Sequence, residues 1–292
     1  MRVILIFIIT IFPLSLFSQS FSESDIKNLA EEVNQEIKGV NIGNGIRAKG
    51  CFALGRTLIY QYEVPEYWQA PKNLKAELIS NLKTAGAAKT YFLYNINVNF
   101  YYFRSNSLIE KVSIKSNELS TFKFELGEYI SLNKHPKAKE VNIKLKAPTG
   151  WEIKEGARPN IVKKFVKEGN TYLVLVKENM TFFSRNESKE LLQDEDFTKE
   201  FIEGSSSFFT NPKILSQRII TLDTYPTLEF KVKGTMERTG LEMEMIMKSW
   251  VIFYEDKLIF LQSMGLDNAE FKVLEQLYFL ITNSVIFPDQ YY

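Results

Sequence analysis

Apolar residues at positions 26, 29, 30, 33 and 37 recur three and four apart, so residues 23–38 are expected to form an amphipathic helix. Ser22 or Ser24 can cap it, acidic residues fill its first turns, and Gly39 ends it. After a glycine-rich turn at 43–50, residues 52–64 read as a strand, or as two strands broken at Gly55. Leu58, Tyr60 and Tyr62 then share a face. Residues 72–83 repeat the helical spacing at Leu74, Leu78, Ile79 and Leu82. The clearest alternation comes next, where Asn95, Asn97 and Asn99 interleave with Tyr94, Ile96, Val98, Phe100 and Tyr102. That pattern predicts a half-buried strand with a wet asparagine face, turned back at 105–107 into a second strand, 108–114.

The second half is richer in strands. Residues 117–140 carry Phe122, Phe124 and Tyr129 but end in the polar, Pro-containing run 133–139, where a domain boundary is expected. Alternation at 142–146 leads through Pro148-Thr149-Gly150 to Trp151 and Ile153. A hairpin is predicted from 161–166 and 172–176, a helix over 197–209, then strands at 214–222, 227–232, 241–254 and 257–264. The last two turn at Glu255-Asp256, and a closing helix spans 271–285. The expectation is an α+β chain of two domains, each an antiparallel sheet packed with helices. Their bounds are 19–132 and 141–292, joined by a linker at 133–140.

In the second of these, APTGW at 147–151, PNIV at 159–162, ITLDTYP at 220–226 and ITNSVIFPDQYY at 281–292 fit the element order just described. Together they resemble the PsbP-like family, which includes extrinsic photosystem II subunits and a Ran-binding factor. The resemblance implies an α-β-α sandwich and a protein that binds or assembles rather than catalyses. Nothing in the chain matches a plant targeting sequence, so no photosynthetic role is implied.

The first twenty residues change the setting. Arg2, the apolar run 3–12, Pro13 and the small residues Ser15, Ser18 and Ser20 have the parts of a secretory signal peptide, expected as 1–18 with cleavage after Ser18 or Ser20. The run is shorter than the roughly 20 residues of a membrane span, so no integral segment is expected after its removal. The chain then reads as an exported, bacterial-type protein, periplasmic or extracellular. Setting Arg2 aside leaves basic and acidic residues equal at 35 each, a balance that gives no long-range pull toward nucleic acid. Cys51 is the only cysteine, so no internal disulfide forms; beside Phe52 it reads as a small buried hydrophobe.

Candidate chemistry is sparse. His135 is the only histidine and is expected as a solvated linker residue, which excludes histidine triads and HExxH zinc sites. Gly43–Ala48 fits GxGxxA but comes after a helix and enters a strand, the reverse of the dinucleotide fingerprint. Gly204-Ser205-Ser206-Ser207 lacks the GxSxG elbow. No cofactor or catalytic residue is assigned. Carboxylates at 194–196, or Glu242 and Glu244, leave a carboxylate-dependent hydrolase as an alternative to a binding module. Met243, Met245 and Met247 lie on one strand face and read either as core or as a soft-metal (copper) site. Tyr67 and Trp68, between two prolines, read either as a ligand contact or as a core plug. The partner is an unknown protein or small ligand.

Overall fold

The computed structural model describes residues 21–291, so the expected signal peptide lies outside the described residues. The chain is α+β and divides into two compact units, Met1–Phe122 and Lys123–Tyr292. The division comes earlier than 133–140 because Leu126–Ser131 pairs with Lys144–Pro148 and so belongs to the second unit. The polar stretch itself contains a 3-10 turn, Pro136–Ala138.

The first unit opens with α1 (Glu23–Ile37), whose buried stripe is Ile26, Leu29, Ala30 and Ile37. Ser22 caps it reciprocally: its hydroxyl accepts from the Asp25 N–H at 3.2 Å, and the Asp25 carboxylate accepts from the Ser22 N–H at 2.7 Å. Strands β1 (Asn41–Gly43), β2 (Ile46–Leu54) and β3 (Thr57–Glu63) form a meander. Helices α2 (Leu74–Thr84) and α3 (Ala87–Leu93) then carry the chain to β4 (Asn97–Arg104), which lies parallel to β3. Antiparallel β5 (Ser107–Ile114) is reached through Ser105 and Asn106, both at positive φ as a tight hairpin turn requires. The sheet is therefore mixed, correcting the expectation of an all-antiparallel one. A helical connection returns the chain to the end of the sheet from which it left, and so makes the next strand parallel. Asn97 and Asn99 are half-buried, whereas Val98, Phe100 and Tyr102 are fully buried. Stacked rings make much of this core, with Tyr60 on Phe100 at 5.3 Å and Tyr62 on Tyr102 at 5.4 Å.

In the second unit β6 (Leu126–Ser131) and β7 (Lys144–Pro148) form a separate antiparallel pair. Next come β8 (Glu152–Glu155), β9 (Ile161–Lys167) and β10 (Asn170–Phe183). Helices α4 (Arg185–Gln193) and α5 (Glu195–Ser205) replace the single helix expected over 197–209. Asp194 ends the first and caps the second, its carboxylate accepting from the Phe197 N–H at 3.0 Å. Strands β11 (Thr210–Leu222), β12 (Tyr225–Arg238) and β13 (Leu241–Leu266) and helix α6 (Ala269–Asn283) complete it. The sheet order is β11-β12-β13-β10-β9-β8, antiparallel throughout.

Strand β13 doubles back at Glu255, which has φ +53°. Its first half pairs with β12 and its second with β10. The halves face each other: the Asp267 N–H donates to the Glu244 carbonyl at 3.0 Å, and Gln262 donates to Ser249 Oγ at 3.2 Å. Alternation then divides the sheet. Phe230, Val232, Met247 and Val251 point to the α4–α5 side, where Leu192 and Ile202 cover them. Tyr172 and Trp250 point to the α6 side, where Tyr172 stacks on Tyr278 at 6.1 Å and donates to or accepts from Thr282 Oγ1 at 2.7 Å. Trp151 is buried there too, edge-on to Tyr278 at 6.1 Å.

Phe230→Ala, at a fully buried position, is expected to cost about 3–5 kcal/mol. Ile153→Ala, at a position 48% exposed, stays within about 0.5 kcal/mol. Urea midpoints at constant m-value check both.

Candidate functional site

Helices α4 and α5 cover only part of their face of the sheet. Phe201 of α5 stacks over Phe260 at 6.1 Å. Alongside, a cavity of ≈520 Å³ opens over β9, β10 and the second half of β13. Ile161, Leu173, Leu175, Phe260 and Met264 line it from the strands, with Ser205, Phe208 and Met236 completing the wall. Phe208 is 46% exposed, an unusual cost for a phenyl ring that its place in this wall accounts for.

The polar side chains here are Arg158, Asn160, Lys177, Ser205 and Gln262. Gln262 donates its amide hydrogens to Met247 Sδ and Ser249 Oγ, which leaves its carbonyl oxygen as an acceptor. Arg158 and Lys177 also line the cavity, and Lys177 Nζ lies 4.6 Å above the Phe260 ring. No carboxylate is among the lining residues.

The methionines expected to share a face do so. Met247 is wholly buried in the core cluster, Met245 is packed against that cluster, and Met243 is half-buried. Met236 of β12 stands directly opposite Met243. Of the aromatic pair in the first unit, Trp68 stacks on buried Tyr102 at 5.0 Å, while Tyr67 is 76% exposed and donates to the Asn44 carbonyl at 3.3 Å. Gly43, Asn44 and Gly45 form the positive-φ turn between β1 and β2. The Cys51 thiol is buried, which pushes its pKa up to about 12.

His135 is not the solvated linker residue expected. It caps the 3-10 turn, its Nδ1 accepting from the Lys137 N–H at 3.1 Å, while Nε2 meets the Glu155 carboxylate. Both ring nitrogens are thus hydrogen-bonded within the fold. A polar hollow of ≈560 Å³ lies beside it, where Glu178 pairs with Lys139 at 3.3 Å.

Several carboxylates elsewhere have their pKa lowered by partners. Glu244 pairs with Lys233 at 2.6 Å and accepts from Thr235 at 3.1 Å; its pKa is lowered by these hydrogen bonds. Glu229 is the deepest. Burial acts to raise its pKa, but Arg218, at 3.0 and 3.1 Å, and Trp250 Nε1, at 2.7 Å, donate to it, and with Lys248 they lower it overall. Among the described residues, every carboxyl displaced from its ordinary pKa is displaced downward. A glycosidase-type acid needs the opposite shift. What the sequence reading missed is the cavity itself. Its one signal was YLVLV at 172–176, apolar on both faces of a strand.

No family model matches the chain, and no curated protein matches it. Among solved structures it is similar to cyanobacterial PsbP from Synechocystis, over 56% of this chain and 94% of that one, with a TM-score of 0.36 and 15% identity. It is also similar to the Ran-binding protein Mog1p of Saccharomyces cerevisiae, over 57% and 98%, with a TM-score of 0.36 and 10% identity. A structure from Bacteroides thetaiotaomicron matches over 49% of this chain at a TM-score of 0.31 and 7% identity; the chain spans less than half of it, 44%. Among the described residues no helix is long and apolar enough to cross a membrane.

Because the folded pKa of Glu229 lies below its unfolded value, the carboxylate stabilises the fold above about pH 4.3. That contribution is lost as pH falls through the folded pKa. Glu229→Gln is expected to cost about 2 kcal/mol at neutral pH and to flatten the acid limb of stability. Urea titrations across pH 2–7 at about 0.15 M salt measure both.

Proposed function

We propose that Lys123–Tyr292 is a non-enzymatic binding module that holds a small apolar molecule on the open part of its sheet. The observation that carries this reading is the ≈520 Å³ cavity walled by Ile161, Leu173, Leu175, Phe208, Met236 and Phe260. Its size falls within the roughly 300–1,000 Å³ of small-molecule sites. Helices on both faces of an antiparallel sheet, with buried Trp151 after the 147–150 turn, support an α-β-α sandwich of PsbP-like type. The mixed five-stranded sheet and its helices support a separate α+β domain ahead of it. The apolar run 3–12 and the small residues after it support export to the periplasm or beyond. Balanced charge speaks against nucleic acid as the partner.

The test is titration of the chain beginning at residue 19 with the neutral, environment-sensitive dye N-phenyl-1-naphthylamine. Saturable fluorescence enhancement at one dye per chain is expected. Ser205→Trp fills the cavity from a half-buried wall position and is expected to weaken binding at least about tenfold, as loss of one large apolar contact implies. Equal binding by Ser205→Trp, or none by the parent, removes the reading.

A second reading rests on Met236 standing opposite Met243, which brings a neighbouring strand's thioether to the stripe. Three half-buried sulfurs at 236, 243 and 245 suit a soft Cu(I) ion. Titration with Cu(I) under a competing chelator, against a Met236→Leu/Met243→Leu/Met245→Leu variant, is expected to show one methionine-dependent ion per chain. Identical curves for the two proteins discard the copper site.

A further inference from the structure

The cavity has a direction, and this deepens the binding reading just given, on which it rests. Register lays its residues out along the strands. Lys177 lies opposite Leu258, Leu175 opposite Phe260, Leu173 opposite Gln262, and Thr171 opposite Met264. At about 3.3 Å per residue, the Lys177 level and the Met264 level are roughly 20 Å apart. Ile161 lies opposite Leu175, which places Arg158, just before β9, at the Lys177 end. Ser205, Phe208, Met236 and Met264 belong to the other end. One long wall is therefore mostly apolar, interrupted by Gln262, and its charge is confined to one end.

That charge is uncompensated. Among the described residues neither Arg158 nor Lys177 forms an ion pair, and no acid lines the cavity. Several lysines of the sheet are matched, Lys163 with Glu155, Lys231 with Glu275, Lys233 with Glu244 and Asp267, but none of these lines the cavity. Arg158 and Lys177 are both exposed, so an anion meets them at the mouth of the cavity, where two positive charges side by side still favour it over a neutral group. At the inner levels Gln262 offers an acceptor, not a donor, so an anionic group is disfavoured there.

We infer that the cavity takes a single-chain amphiphile, its hydrocarbon lying along Leu175, Leu173 and Met264 and its anionic head, a carboxylate or phosphate, meeting Arg158 and Lys177. Arginine's planar fork matches either head bidentately, and lysine adds a second charge. A compact apolar molecule would fill the inner end without engaging either cation.

Displacement of N-phenyl-1-naphthylamine from the chain beginning at residue 19 tests this. The competitors are straight-chain carboxylic acids and monoalkyl phosphates of eight to sixteen carbons, the matching primary alcohols, and inorganic phosphate. Acids and alkyl phosphates are expected to displace the dye about tenfold more tightly than alcohols of equal length. Affinity should rise up to about fourfold per added methylene until the cavity is full. Arg158→Gln/Lys177→Gln keeps most of the side-chain bulk at both positions. It should erase the head-group preference while leaving alcohol affinity unchanged and the chain folded, with the thermal midpoint lowered by no more than loss of Lys177's contact with the Phe260 ring. Equal affinity for acids and alcohols overturns the proposal while dye binding keeps the module reading; so does a preference that survives the double variant. Displacement by inorganic phosphate as strong as by alkyl phosphate identifies a plain anion site and likewise overturns it. Failure of the dye to bind the parent chain marks failure of the underlying reading instead.

Discussion

Everything in the second unit depends on the two-residue period of β13 and on its reversal at Glu255. Side chains of an extended strand alternate, so residues 245, 247, 251 and 253 commit to one face while 246, 250 and 252 commit to the other. A slip of one residue would bring Lys248 and Trp250 to the face where Met247 and Val251 meet α4–α5, and would leave Glu229 without its indole donor. The reversal then sets the two halves of β13 side by side, with β12 outside one and β10 outside the other. Twelve register pairs with β12, from Thr227–Ile252 to Arg238–Leu241, hold that choice in place.

The cavity results from how little helix is available to cover that sheet. Residues 184–205 give two short helices, joined at Asp194, and both lie toward β12 and the first half of β13. The other side of the same face, over β9 and β10, is covered only in part: Phe201 of α5 reaches Phe260, and beside it Leu173 and Leu175 line the cavity. On the opposite face the fifteen-residue α6 brings Phe271, Leu274, Tyr278 and Ile281 over the sheet, and Tyr172, Trp250 and Trp151 are closed in. One face is thus finished by the chain itself and the other is left open at one end. A hollow of this size with mostly apolar walls has the dimensions of a small-molecule site.

Periodicity disclosed elements better than partners. The Asn95–Asn99 alternation, the reversal at Glu255-Asp256 and the capped first helix were all readable, because each is a local consequence of side-chain spacing or turn chemistry. Helix α4 was hidden because RNESKELLQ offers only Leu191 and Leu192 as apolar positions and reads as solvated charge. Its signal was the capping pair Ser184 and Glu187, each bonded to the other's N–H. The parallel pairing of β3 with β4 was hidden for another reason: alternation says which way a side chain points, never which strand lies beside it. His135 does not read as a held residue in the sequence because Glu155, which holds it, is twenty residues on, in β8. At the cavity, YLVLV shows that both faces of β10 avoid water, but only the fold tells that one of them is covered by α6 and the other only partly by α4–α5.

Charge is handled differently on the two faces, and that difference separates support from chemistry. Under α6, Glu229 receives Arg218 and Trp250 and lies 3.6 Å from Lys248, which in turn approaches Glu275, the partner of Lys231. Each ion there has its counterion on the sheet or on α6, so the group is closed: removing Arg218 leaves Glu229 buried and short of a partner, the condition under which ion pairs matter to folding. A closed network has no charge left to offer a ligand, and a carboxyl held ionised by three donors has no proton to give. At the open end of the other face the arrangement is the reverse. Arg158 and Lys177 contribute nothing to the fold that a neutral side chain of similar length would not, apart from the lysine's contact with Phe260. Cations that the fold does not use, placed where its apolar surface is uncovered, are the feature of this unit that its own stability leaves unexplained.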